Sequence, residues 1–180
     1  MMNVLLLSDL HGAGESLRRS LPSIQRMAGK LDGCLFMGDG LNDFRRILPD
    51  IRRLGDRMVI QDVVGNCDYG ADAPHTSLVN LSGVRTLVTH GHRYHVKHSL
   101  LTLEMEALQH DCLLAAYGHT HVQDAQPGRV ALVNPGSAGS GKAALLTIQQ
   151  GEGNVTMLDI SAAMRDGESP VKILSQTILF

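Results

Sequence analysis

Tryptophan is missing from this 180-residue chain, which has only three Phe and three Tyr. Its core must therefore be built from Leu, Val, Ile, Ala and Met, and a 43% hydrophobic content supplies enough of them. Cysteine is sparse as well: Cys34, Cys67 and Cys112 are an odd set without CxxC spacing. That argues against a disulfide framework or structural zinc site and points to a reducing cytoplasm. No apolar run approaches the ~20 residues of a membrane span. The start, MMNVLLLSDLH, has neither a basic leader nor a small-residue cleavage site. The expectation is a soluble, unexported, cytoplasmic protein with no membrane partner. Charge of one sign is lacking too, with a formal net charge of -2 and no Lys/Arg run, so no specific nucleic-acid surface is expected.

What is present has the rhythm of an α/β protein, short apolar runs alternating with longer amphipathic ones. Residues 1–180 read as one domain, long enough to bury about two-thirds of the unfolded surface. Strands are expected at Asn3–Ser8, Cys34–Met37 and Met58–Val64, with helices at Glu15–Met27 and Leu41–Leu54. The second half reads as hairpins around Ser82-Gly83, Pro127-Gly128 and Gly151–Asn154, with a helix near Leu100–Gln109 and a strand at Cys112–Tyr117. Ala162–Ser169 reads as a loop and Val171–Ile178 as an edge strand.

Five apolar runs end in residues able to bind metal. They are LLLSDLH (Asp9, His11), CLFMGD (Asp39), VVGNCD (Asn66, Asp68), TLVTHGH (His90, His92) and LLAAYGHTH (His119, His121). Taken singly, Asp9 reads as a helix cap, and Asp39 and Asn66 as turn residues beside glycine. The carboxyl ends of neighbouring strands share one sheet edge, however, so five loops would deliver these side chains to one place. Jointly, the ligand reading prevails, because several His and carboxylates would otherwise lack partners. His75, His98 and His110 read as solvated surface residues. On an extended loop alternate side chains point the same way, so His92 would face the centre one step beyond His90, though a plain loop histidine is an equal reading.

D-x-H, G-D, G-N-x-D, H-G-H and G-H-T-H, in that order, resemble the calcineurin-like metallophosphoesterase superfamily. GNCD, THGH, GHTH and the NPGS of Asn134–Ser137 are similar to its small YfcE-type phosphodiesterases. The resemblance runs from Asn3 to about Ile160. It implies a four-layer αββα sandwich of two mixed sheets flanked by helices. It assigns Asp9, His11, Asp39 and His121 to one divalent ion and Asp39, Asn66, His90 and His119 to a second, with Asp39 bridging. Asp39, Asn66 and His92 are the expected catalytic residues, and Cys67, Arg93, Tyr94 and His95 the candidates to touch substrate. Many superfamily members have His where this chain has Cys67, so the usual source of leaving-group assistance is missing and Asp68 becomes an outer residue.

The implied chemistry is hydrolysis of a phosphate ester, a diester first, by a hydroxide shared between the ions. Two divalent cations less Asp9, Asp39 and that hydroxide leave about one positive charge, suited to a singly charged diester. Mixed imidazole and carboxylate ligation favours Mn²⁺, Fe²⁺, Zn²⁺ or Ni²⁺ over Mg²⁺ or Ca²⁺, with manganese ranked first. A phosphomonoesterase or nucleotide pyrophosphatase would use the same residues. A non-catalytic scaffold of the retromer-subunit type is the rival from another class, and a homodimer is left open.

Overall fold

A computed structural model describes all residues from Met1 to Phe180. Strand β1 (Met2–Leu7) leads to α1 (Gly14–Ala28), β2 (Gly33–Phe36), α2 (Leu41–Arg52) and β3 (Val59–Asp62). A hairpin of β4 (Thr76–Leu81) and β5 (Val84–Thr89) precedes α3 (Leu101–Gln109) and β6 (Leu114–Ala116). Next come β7 (Gln123–Gln126), β8 (Ala131–Pro135), β9 (Lys142–Gln149), β10 (Glu152–Asp159), α4 (Ser161–Asp166) and β11 (Lys172–Ile178). Six strands form one sheet in the order β11-β10-β9-β1-β2-β3, and five form the other in the order β4-β5-β6-β8-β7. Both sheets are mixed: β1, β2 and β3 run parallel in the first, and β5, β6 and β8 in the second.

Burial explains the layers. Along β1, Val4 and Leu6 join the core between the sheets, while Leu5 and Leu7 join the core beneath α1 and α2. A strand covered on both faces reads as an unbroken apolar run, which is what NVLLL is. Leu17, Leu21 and Ile24 are the buried stripe of α1, and Phe44, Ile47 and Ile51 that of α2. Phe36 and Phe44 stack at 4.5 Å, a contact worth about 1 kcal/mol beyond burial. On the outer face of the second sheet, Leu103 and Ala107 of α3 pack with Leu87, Ala115 and Leu132. The expected four-layer αββα sandwich is therefore the observed architecture. No helix is long and apolar enough to cross a membrane.

Three expectations need correction. The stretch read as a loop contains α4, because Ala163 and Met164 bury their side chains and Asp159 Oδ1 accepts the Ser161 N–H at 2.9 Å. The β9–β10 turn is Gln150-Gly151, both residues with positive φ, so β10 starts at Glu152 and not after Asn154. Strands read as Met58–Val64 and Cys112–Tyr117 are shorter, because pairing ends where the chain turns toward the sheet edge.

Candidate metal centre

Every motif loop follows a strand of the two parallel blocks: Asp9 and His11 after β1, Asp39 after β2, Asn66 after β3, His90 after β5, His119 and His121 after β6. The chain of contacts is continuous. Asp9 Oδ1 lies 3.1 Å from His121 Nε2 and 3.9 Å from both His11 Nε2 and His90 Nε2. Asp39 Oδ2 lies 3.4 Å from His90 Nε2 and 3.8 Å from His11 Nε2. His11 and His121 face each other through Nε2 at 3.4 Å, and Asn66 Oδ1 is 3.1 Å from His90 Nε2.

The loops are locked from outside the centre. The Asp68 carboxylate accepts backbone N–H groups from Asp39, Gly40, Leu41 and Gly65 at 2.8–2.9 Å, tying two motif loops together. Cys67 N–H donates to Asp39 Oδ1 at 2.7 Å, and His119 N–H and Ser8 Oγ donate to Asp9 Oδ2. Ser137 Oγ and Gly139 N–H both hold the Asp9 carbonyl, and Asn134 bonds the Gly118 carbonyl. Gly65 has to be glycine, since a Cβ there would run into the Asp39 carboxylate. Nine non-glycine residues have positive φ, and five of them are Asp9, His11, Asp39, His119 and His121. Backbone in that region is costly and concentrates at functional sites.

Electrostatics suit a cation. Burial would raise the Asp39 pKa, but hydrogen bonds to His90 and from the Cys67 N–H outweigh it and hold the carboxyl well below the usual range. Burial likewise opposes protonation of His90, yet Asp39 and Asp9 overcome it and raise its pKa. His90 Nδ1 is 2.6 Å from the Met37 carbonyl; donation there leaves Nε2 aimed at the carboxylates. Burial, and then the charge of His90, lower the His119 pKa to about 4, so its ring is neutral and ready to ligate. Asp9 Oδ1 is buried with no hydrogen-bond donor, although three imidazole nitrogens lie within 3.9 Å. A buried anionic oxygen without a donor, ringed by imidazoles and a second carboxylate, fits a divalent transition metal. Three sets of side chains bring potential ligand atoms within 4.8 Å of one another: Asp9/His11/His121, His11/Asp39/Cys67 and Asp9/Asp39/His90.

The other sequence-derived candidates fare differently. His119 belongs to none of those three sets, but its ring lies 5.0 Å from that of His90. Cys67 reaches the centre itself, with Sγ in the His11/Asp39 set. The loop after His90 is not extended: Gly91 has φ 100° and His92–Tyr94 form a 3-10 turn. The His92 ring still comes to 5.3 Å from His90, with Nδ1 buried and unpartnered. Burial and the neighbouring His90 lower its pKa, which disfavours the charged form a general acid needs. Arg93 and His95 are exposed, and neither lines the cavity beside Asn66 and His92. The Tyr94 hydroxyl bonds Thr76 Oγ1 and its ring packs on the α3 core, so it is turned away from that cavity. His75, read as a surface histidine, lies 6.1 Å from His92 and lines the cavity. Nothing local to Ala73–His75 signals this; only tertiary pairing of β4 with β5 brings it there.

Comparison with known proteins agrees with the geometry. Residues 2–161 match the model of the calcineurin-like phosphoesterase superfamily domain. The probable metallophosphoesterase YsnB of Bacillus subtilis (strain 168) is 31% identical over 137 residues, 76% of this chain and 75% of YsnB. In fold, the chain is similar to YfcE, a phosphoesterase from E. coli, with TM-score 0.64 and 19% identity over 99% of this chain and 100% of that one. It is also similar to Vps29 from Entamoeba histolytica, solved in complex with Zn²⁺, with TM-score 0.72 and 20% identity over 99% and 100% of the two chains. The chain belongs to the calcineurin-like phosphoesterase superfamily.

Proposed function

We propose that the chain is a dinuclear metal-dependent phosphodiesterase. The observation that carries this reading is the Asp39 carboxylate between His11 and His90, beside an Asp9 oxygen with no donor of its own. Asp9, His11, Asp39 and His121 would hold one ion, and Asp39, Asn66, His90 and His119 the other, with Mn²⁺ first among Mn²⁺, Fe²⁺, Zn²⁺ and Ni²⁺. Two bound ions supply Lewis-acid charge to the phosphoryl oxygens and acidify a water toward neutrality.

The protein's own part is positioning. Asp39 stays ionised and fixed by the Cys67 N–H. The Met37 carbonyl, accepting from Nδ1, orients His90, and Asn66 Oδ1 lies beside its Nε2 as a fellow ligand atom. His92, neutral near pH 7, serves as a hydrogen-bonding neighbour to the substrate. With the charged form of His92 disfavoured, departure of the alcohol depends on its own acidity.

The likeness to Vps29 keeps a non-catalytic scaffold as the second reading, and metal binding alone does not separate the two. The test is turnover of methyl p-nitrophenyl phosphate against p-nitrophenyl phosphate by Mn²⁺-loaded protein. Faster diester cleavage supports the proposal. Monoester preference makes the chain a phosphomonoesterase, and a metal-loaded but inert protein makes it a scaffold.

A further inference from the structure

Beside the centre lies a cavity of about 380 Å³, within the range of small-ligand sites. Asn66 and His92, which adjoin His90, form its inner wall, and Tyr69, Ala71, Ala73 and His75 extend it outward. Tyr69 is 90% exposed. This is one of only three tyrosines in a chain without tryptophan, and its ring is left open to solvent at the mouth of a cavity. The His75 carbonyl takes the Thr89 hydroxyl at 3.0 Å, while its ring makes no hydrogen bond and stands 6.1 Å from His92. Asp68, the one carboxylate in the lining, is already occupied by four backbone N–H groups. Val64, Ala71 and Ala73 supply the apolar part of the remaining lining, beside the exposed Tyr69 ring and the unbonded His75 imidazole.

A phosphate seated at the centre would leave its organic substituent at this opening, because Asn66 and His92 belong to both. Resting on the phosphoesterase reading above, we propose that the cavity is a subsite for a flat heterocyclic substituent, as in a nucleoside ester of phosphate. Tyr69 stacks on the ring and His75 hydrogen-bonds its edge. Stacking of this kind tolerates any base, since every base has a π-face.

The experiment is calorimetric titration of the Mn²⁺-loaded protein with adenosine 5′-monophosphate and with methyl phosphate, which share the phosphate and differ in the substituent. Wild type binds the nucleotide about fiftyfold more tightly, the product of about tenfold from one base–aromatic stack and about fivefold from one hydrogen bond. Tyr69→Ala removes most of that advantage, Tyr69→Phe keeps it, and His75→Ala lowers nucleotide affinity about fivefold, one hydrogen bond's worth. Methyl phosphate binds all four proteins alike. Both altered side chains are exposed, so the variants remain folded. Equal affinity of wild type for the two ligands overturns the subsite, as does an equal loss of both in Tyr69→Ala. If methyl phosphate fails to bind the loaded protein at all, the phosphoesterase reading falls with it, a result distinct from the other two.

Discussion

Asp68 holds Asp39 through the backbone: its Oδ2 accepts the Asp39 N–H at 2.8 Å, while its Oδ1 accepts those of Gly40 and Leu41. Helix α2 has no side-chain cap of its own, so this carboxylate from another loop supplies one. Asp68→Ala orphans four N–H groups at once, and should cost about 2–4 kcal/mol. Urea unfolding would show it, and Asp68→Asn should recover part of the loss. A variant as stable as wild type would mean the loops hold themselves.

Asp39→Asn keeps the shape of the side chain but removes the charge between His11 and His90. Metal content measured on the purified variant should fall below two ions per chain, and diester turnover should drop by at least about 10³, the scale of losing a core electrostatic group. Two retained ions with near-normal turnover would contradict the bridging role.

His121 sits against Asp9 and His11, whereas His119 sits against His90. His121→Ala should therefore empty one ion position and His119→Ala the other. Anomalous scattering from crystals of each variant separates the two cases. Loss of the same ion from both would undo the assignment.

The lowered pKa of His92 predicts that the ring positions and does not protonate. Acid assistance is typically worth about 10²–10⁴ in rate. Without it, rates across a series of aryl methyl phosphates should fall steeply as the leaving group becomes more basic. His92→Ala should then cost a similar factor on good and poor leaving groups. A larger loss on poor leaving groups would make His92 the acid.

Away from the centre, Asp159 bonds Ser161 at the start of α4 and pairs with Lys142 at 3.0 Å. The Ser161 bonds, then Lys142, lower its pKa from 3.8 to about 2. A depressed folded-state pKa stabilises the protein above the ordinary value, and the contribution disappears as pH falls through the folded value. Asp159→Asn, which can still accept the Ser161 N–H but loses the charge beside Lys142, should thus be about 1 kcal/mol less stable than wild type at pH 7, the upper end for an exposed ion pair, and the gap should close between about pH 4 and pH 2. A gap that persists at pH 2 would assign the effect to something other than charge.

The apolar runs and their polar ends by themselves determine much of this protein. NVLLL, CLF and TLV are strands because helices cover one face and the other sheet covers the opposite one, and the parallel ends of β1, β2, β3, β5 and β6 gather Asp9, His11, Asp39, Asn66, His90, His119 and His121 at one edge. The order of those motifs also carried the family. Tertiary structure alone decided the rest. Helix α4 forms because α1 offers a surface for Ala163 and Met164, and a six-residue segment has no stability of its own. Gly91 turns His92 by a left-handed step that periodicity does not reveal. Asp68 as a clamp, and His75 beside His92, depend on distances between loops far apart in sequence. Local pattern encodes which face is buried, but only the closed fold sets which loops touch.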